Sequence, residues 1–349
     1  RFEAHAAAHP NDIALIFDDE RMTYGELNAR ANNVAHWLIE QGTRPDDKVG
    51  IAVQRSMQMI VALLGVLKAG AAYVPLDMAY PSERFVYMIA DSGIALLITQ
   101  EALRATLRVP DTMRVVDVET IEATATHRDD PSVTLPANHL AYVTYTSGST
   151  GKPKGVGIGH GAFARHIDVS LRFFELTRDD RVLQFATFNF DGFVEQLFPA
   201  LSIGASVVLC GSHLWDSATF HRRLLRDRIT IADLTTAYWQ ALVQDFVAEG
   251  VTDFGALRRV HAGGEAMSLA ALKTWRAWPA FAPICLLNTY GPTEAAVTAT
   301  TFDCSAAFDI DALPAHVPIG APLAGRSIYV LTPEMTLAPI SVKGEVAIG

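Results

Sequence analysis

Apolar positions recur with a spacing near 3.6 in some stretches and near 2 in others, and the two periods alternate along most of the chain. Thr23-Tyr24-Gly25-Glu26 has capping-box spacing, with Thr23 as N-cap and Glu26 reaching back from the third helical position. The helix it opens carries Leu27, Ala31, Val34, Ala35 and Leu38 on one face and is predicted to end near Gly42. A short apolar strand follows at 49–53, then a helix over Met57–Lys68, apolar on most sides and stopped by Gly70. Residues 71–77 read as a strand interrupted by Pro75. The alternation continues through a helix at 82–90, a strand at 94–99, a helix at 102–107 and a strand at 113–118. Residues 120–138, rich in Thr, Asp and Pro and without a sustained period, are the best internal linker.

Beyond it, 140–145 is an alternating apolar run that predicts a buried strand, and the β-then-α rhythm resumes to about residue 288. From 298 onward the pattern changes to short strands separated by Pro and Gly. The fold class expected is α/β: two doubly wound, mixed or parallel sheets packed with helices, plus a small C-terminal β-barrel-like subdomain. The expected organisation is 1–130 for part of a first α/β subdomain, 131–297 for a second, and 298–349 for the β-rich one. The final segment, Lys343-Gly344-Glu345-Val346-Ala347-Ile348-Gly349, is an alternating strand, so a piece of a longer polypeptide is expected.

Composition narrows the partners. A formal net charge of −10 argues against nucleic acid or an anionic membrane as the main partner. The N-terminus lacks an apolar signal-peptide core, and the longest apolar run, 59–67, is too short to cross a bilayer. Cys210, Cys285 and Cys304 form no C-x-x-C pair, which fits a reducing cytoplasm and not structural zinc.

The apolar run at 140–145 empties into Thr146-Ser147-Gly148-Ser149-Thr150-Gly151-Lys152-Pro153-Lys154-Gly155. Glycine lets successive N–H groups point inward to make an anion-binding concavity, and the hydroxyls and the two lysines add donors and positive charge for phosphate. The plain alternative is a flexible Ser/Gly connector. A Walker A loop is disfavoured, because Lys152 is followed by Pro153 and not by Ser or Thr. Further on, Asn288-Thr289-Tyr290-Gly291-Pro292-Thr293-Glu294 follows an apolar strand at 284–287, where ligands of open α/β sheets collect. Tyr290 offers a flat face for a purine, Asn288 a donor and acceptor, and Glu294 a hard oxygen for Mg²⁺; a simple Gly-Pro turn is the alternative.

These stretches resemble the adenylate-forming enzymes, which include acyl-CoA synthetases and the adenylation domains of nonribosomal peptide synthetases. Met22-Thr23-Tyr24-Gly25-Glu26-Leu27 and Leu67-Lys68-Ala69-Gly70-Ala71-Ala72-Tyr73-Val74-Pro75-Leu76-Asp77 are similar to two early adenylation-domain motifs, and acyl-CoA synthetases match the second poorly. With Phe190-Asp191, the Asn288 stretch and the C-terminal strand, the resemblance covers nearly the whole chain. It implies attack of a substrate carboxylate on the α-phosphorus of ATP, release of pyrophosphate, and transfer of the acyl group to a carrier-protein phosphopantetheine thiol. It implies a nucleotide site of Thr146, Ser147, Gly148, Ser149, Thr150, Gly151, Lys154, Gly264, Glu265, Asn288, Tyr290, Gly291 and Thr293, with Thr150, Lys152 and Glu294 serving catalysis and Glu294 holding Mg²⁺.

Carried over residue by residue, the substrate pocket is Asp191, Gly192, Glu195, Asp233, His261, Gly263, Thr289, Val297 and Thr298, with Asp191 pairing the substrate amino group. Glu195 and Asp233 add two acids. A cation at ~4 Å returns on the order of 4 kcal/mol to a carboxylate at an effective dielectric of 20. A basic substrate is therefore expected: lysine, β-lysine, ornithine or diaminobutyrate. Alternatively Glu195 only solvates a helix face and His261 is a core histidine. The family's ribose-binding aspartate and the catalytic lysine of a C-terminal lobe are not found here, so little or no adenylation is expected from this stretch alone. A small MbtH-like helper at 313–322 is a further partner implied by resemblance. An acyl-CoA or aryl-acid ligase and a binding module without catalysis are the competing readings.

Overall fold

A computed structural model describes residues 1–124, 127–147, 151–211, 213–313 and 316–349. The chain forms two compact units, Arg1–Trp215 and Asp216–Gly349.

The first unit opens with a helix, Phe2–Ala8, and an antiparallel pair, Ile13–Phe17 with Glu20–Thr23, none of which the sequence periodicity singled out. Thr23 then caps the helix Tyr24–Glu40 as expected: its hydroxyl accepts from the Glu26 N–H while the Glu26 carboxylate accepts from the Thr23 N–H. Ser56 caps Met57–Lys68, whose residues from Met59 to Val66 are all buried, which explains its apolar character on every side. Lys48–Ala52, Ala72–Pro75, Leu96–Thr99 and Arg114–Asp117 are parallel neighbours in one sheet. Leu140–Ser147 joins that sheet alongside Ala72–Pro75 and carries Pro153–Gly159 antiparallel at its edge. This hairpin thus completes the sheet built by the preceding residues. A second group of strands in this unit places Arg181–Gln184, Ser206–Leu209 and Ile13–Phe17 side by side and parallel.

The stretch expected to be a linker is tied down. A helix, Val118–Thr124, occupies its start, and Glu122 pairs with Arg30 at 2.5 Å. Asp130 accepts from Asn28, Asn32 and Lys68 at 2.9, 3.0 and 2.9 Å. Its polar residues look like a linker only because their partners lie far back in the chain.

The second unit is built on three parallel strands, Ile231–Thr235, Arg259–Gly263 and Cys285–Tyr290. Thr300–Asp303 and Ala321–Pro322 extend them antiparallel. Helices capped by Asp216, Thr235 and Ser268 accompany the strands. The β-rich C-terminal stretch takes the form of these edge strands and a separate antiparallel pair, Ile328–Leu331 with Glu345–Ile348; among the described residues they do not close into a barrel. Among the described residues no helix is long and apolar enough to cross a membrane.

Candidate active site

In the first unit, the expected phosphate loop is the tip of a β-hairpin. Register pairs Tyr145 with Gly155, Thr146 with Lys154 and Ser147 with Pro153. Directly opposed residues of an antiparallel pair share a face, so Thr146 and Lys154 project together. Lys152 and Lys154 are exposed, and Gly151 has φ +81°. Gly148, Ser149 and Thr150 lie outside the described residues. The tip leads into a strand, Pro153–Gly159, where a Walker A loop would open a helix. The incoming strand is anchored just before the tip: the Tyr145 hydroxyl donates to Asp91 Oδ2 at 2.7 Å, and burial together with the neighbouring carboxylate raises the phenol well above its ordinary range.

The segment leading to Asp191 is held from several sides. Gln196 Oε1 accepts from the backbone N–H of Phe185 and of Ala186, at 2.7 and 2.8 Å, and Arg55 donates to the Phe185 carbonyl at 2.6 Å. Asn189 hydrogen-bonds the Tyr80 hydroxyl. Asp191 sits at the N-cap position of the helix Gly192–Ile203, where an aspartate normally bonds the first turn, yet its side chain makes no capping bond. It is 5% exposed. Gly192 and Glu195 occupy the first turn of that helix, both buried, so Glu195 does not solvate a helix face. Its Oε1 lies 2.8 Å from Nε2 of His166, a residue that sequence reasoning missed. Gln196 and Arg55 were missed as well. The signal for Gln196 was there: it and Glu195 are adjacent polar residues in a mostly apolar helix.

In the second unit, strand register gathers the other predicted pocket residues. Asp233 lies opposite His261, and Gly263 opposite Thr289. Because side chains alternate with period 2, Asp233, His261, Gly263 and Thr289 share one sheet face, with Asp233 and His261 in mid-strand and Gly263 and Thr289 at the C-terminal ends. The same alternation sends Asn288 and Tyr290 to the opposite face from Thr289. Asn288 is buried and donates to the Pro318 carbonyl at 2.8 Å, whereas Tyr290 is 39% exposed. His261 is fully buried; burial first, then Arg259 and Arg258, push it well below the ordinary histidine range, so the imidazole is neutral. Gly264 and Glu265 follow the strand end, exposed.

The loop after Tyr290 is pinched shut where the Ala299 N–H donates to the Tyr290 carbonyl at 2.8 Å. Gly291 makes this possible, since a Cβ there would overlap the Val297 carbonyl and the Ala299 nitrogen. Inside the loop, Thr293 and Glu294 form a single 3₁₀ turn with the Glu294 carboxylate exposed. Ala296 and Val297 both adopt positive φ, +56° and +70°, and a β-branched residue in that region marks backbone strain of the kind that collects at functional sites. Val297 and Thr298 are buried. Among the described residues no group of three His, Cys, Asp or Glu side chains could hold a metal by itself. One exposed hard-oxygen carboxylate does fit Mg²⁺, which dehydrates reluctantly and takes its other ligands from phosphate and water.

Residues 2–349 match the family model of the AMP-binding enzymes, and the chain belongs to that family. It is 40% identical over its whole length to a linear gramicidin synthase of Brevibacillus parabrevis and 39% identical over 99% of it to chondramide synthase cmdD of Chondromyces crocatus. It spans only 4% and 9% of those relatives' lengths. Among solved structures, the nonribosomal peptide synthetase FmoA3 superposes with a TM-score of 0.90 at 28% identity, covering 99% of this chain and 36% of that one. The N-terminal subdomain of NpsA from Klebsiella oxytoca shares the fold, with a TM-score of 0.86 at 24% identity over 99% of this chain and 84% of that one.

Proposed function

We propose that this chain activates an amino acid for nonribosomal peptide synthesis: the substrate carboxylate attacks the α-phosphorus of ATP, pyrophosphate leaves, and the aminoacyl-adenylate is passed to a carrier-protein phosphopantetheine thiol. Displacement at phosphorus needs mainly positioning and charge neutralisation. Thr146, Ser147, Lys152 and Lys154 of the hairpin would serve the phosphates, with Thr150 in the same loop, and Glu294 would hold Mg²⁺ against them. Tyr290 would stack on the adenine, with Gly264 and Glu265 on the adenosine side. Among solved relatives, one FmoA3 structure is an AMPPNP-bound form, which supports ATP as co-substrate.

The substrate proposed is a basic amino acid: lysine, β-lysine, ornithine or diaminobutyrate. The observation that carries this is the burial of Asp191, Glu195 and Asp233, which are 5%, 3% and 8% exposed at positions that resemble the family's pocket. Asp191 would take the α-amino group. Two further carboxylates at these positions, one of them also in contact with His166, match a terminal ammonium in charge. An ATP–pyrophosphate exchange panel on the full-length polypeptide tests both levels. Preference for leucine or phenylalanine refutes the basic substrate, and preference for acids lacking an amine refutes amino acid activation.

A further inference from the structure

Helix His160–Phe173 presents His166 and Ser170, one turn apart, on a single face. That face packs against helix Gly192–Ile203 within the first unit. His166 Nε2 lies 2.8 Å from Glu195 Oε1 and 3.3 Å from Ser170 Oγ. The side chains of His166 and Glu195 are 2% and 3% exposed. His166 Nδ1 is buried and has no hydrogen-bond partner among the described residues. Around Glu195 the helix buries Phe193, Val194, Leu197 and Phe198, with one further polar side chain, Gln196, committed to the backbone of Phe185 and Ala186. Pro199, in the interior of the same helix, has no N–H to give the Glu195 carbonyl, so the turn that carries Glu195 lacks a normal helical bond. Polar contacts fix the direction of a carboxylate on such a turn. His166 is placed to supply one.

We propose that His166 is a specificity-determining positioning residue: through Nε2 it orients the Glu195 carboxylate toward the terminal ammonium of a cationic amino acid. This rests on the reading above, in which Glu195 belongs to the substrate pocket. A structural role alone would affect every substrate equally. An orienting role affects only the substrate that Glu195 reads.

The test is ATP–pyrophosphate exchange by the full-length polypeptide, with lysine and ornithine compared against norleucine, whose side chain has no charge. The wild type is expected to prefer the cationic substrates. His166→Leu is expected to raise KM for them about tenfold, the size of one lost charge-assisted contact, with kcat, the KM for ATP and the KM for norleucine little changed. His166→Gln, which keeps an amide N–H at similar reach, is expected to restore most of the discrimination. Adding His166→Leu to a Glu195→Gln background is expected to have no further effect on the lysine-to-norleucine ratio. A parallel loss with all substrates, or a His166→Leu effect that persists undiminished in the Glu195→Gln background, overturns the proposal. If the wild type prefers norleucine, the basic-substrate reading fails first, visible before any variant is made. Thermal melts of each variant separate misfolding from a change in specificity.

Discussion

Gly263 and Thr289 stand opposite each other on adjacent parallel strands, so close that a Cβ on Gly263 would overlap the Thr289 hydroxyl and press on its carbonyl. The absence of a side chain at Gly263 therefore lets Thr289 pack against the strand, on the face shared with Asp233 and His261.

Gly263→Ala is expected to destabilise the protein by about 1–3 kcal/mol through overpacking and to weaken amino acid binding. Adding Thr289→Ala removes the hydroxyl in the way and is expected to recover part of the stability. Denaturant midpoints of the two single variants and the double variant measure this coupling; strict additivity would count against the contact.

Asp191→Asn removes the charge of a buried side chain at nearly constant size, and thermal melts report its cost to stability. If Asp191 meets the substrate amine as proposed, the loss of its charge is expected to lower kcat/KM for the amino acid by about 10–100-fold, as for one hydrogen bond to a charged group. Exchange kinetics at varied amino acid and varied ATP separate the two substrates, and a matching rise in the KM for ATP would contradict the assignment.

Lys154 is exposed on the hairpin and shares a face with Thr146. Lys154→Ala is expected to weaken ATP binding roughly tenfold with little change in melting temperature, because exposed surface substitutions rarely move stability by more than about 0.5 kcal/mol. Titration calorimetry with ATP at two salt concentrations checks this. The wild-type affinity should fall with salt more steeply than that of the variant.

His261 makes stability depend on pH. Its folded-state value is held well below the ordinary 6.5, so the unfolded chain binds more protons there than the folded one at mildly acidic pH. Its contribution is complete above about pH 6.5 and is lost as pH falls below that, with a slope of up to about 1.4 kcal/mol per pH unit from this group. Urea midpoints between pH 7.5 and 5.5 should show the decline, and His261→Gln should flatten it.

Local signals were legible wherever a few neighbouring residues suffice. The Thr23–Glu26 box marks its own helix start, and Met57–Lys68 shows by its apolar residues that it is buried all round. The pair Ile13–Phe17 and Glu20–Thr23 escaped notice because it is short, and its parallel partner, Ser206–Leu209, is remote in the chain. Residues 120–138 looked like a linker for a related reason. Asp130 and Glu122 are ordinary loop acids until Lys68 and Arg30 are brought to them.

The sequence by itself determined the hydroxyl- and lysine-rich loop, the acidic turn at Glu294, the α/β alternation and the family. Those depend on residue types within a turn or a strand, where backbone propensity and side-chain chemistry act over a few ångströms. Only the tertiary structure decided that Asp233 lies beside a neutral His261, that Thr289 and Asn288 face opposite ways, and that Glu195 meets His166. Strand register and the packing of two helices bring these residues together, and both are chosen by burial summed over whole elements, which no local pattern contains.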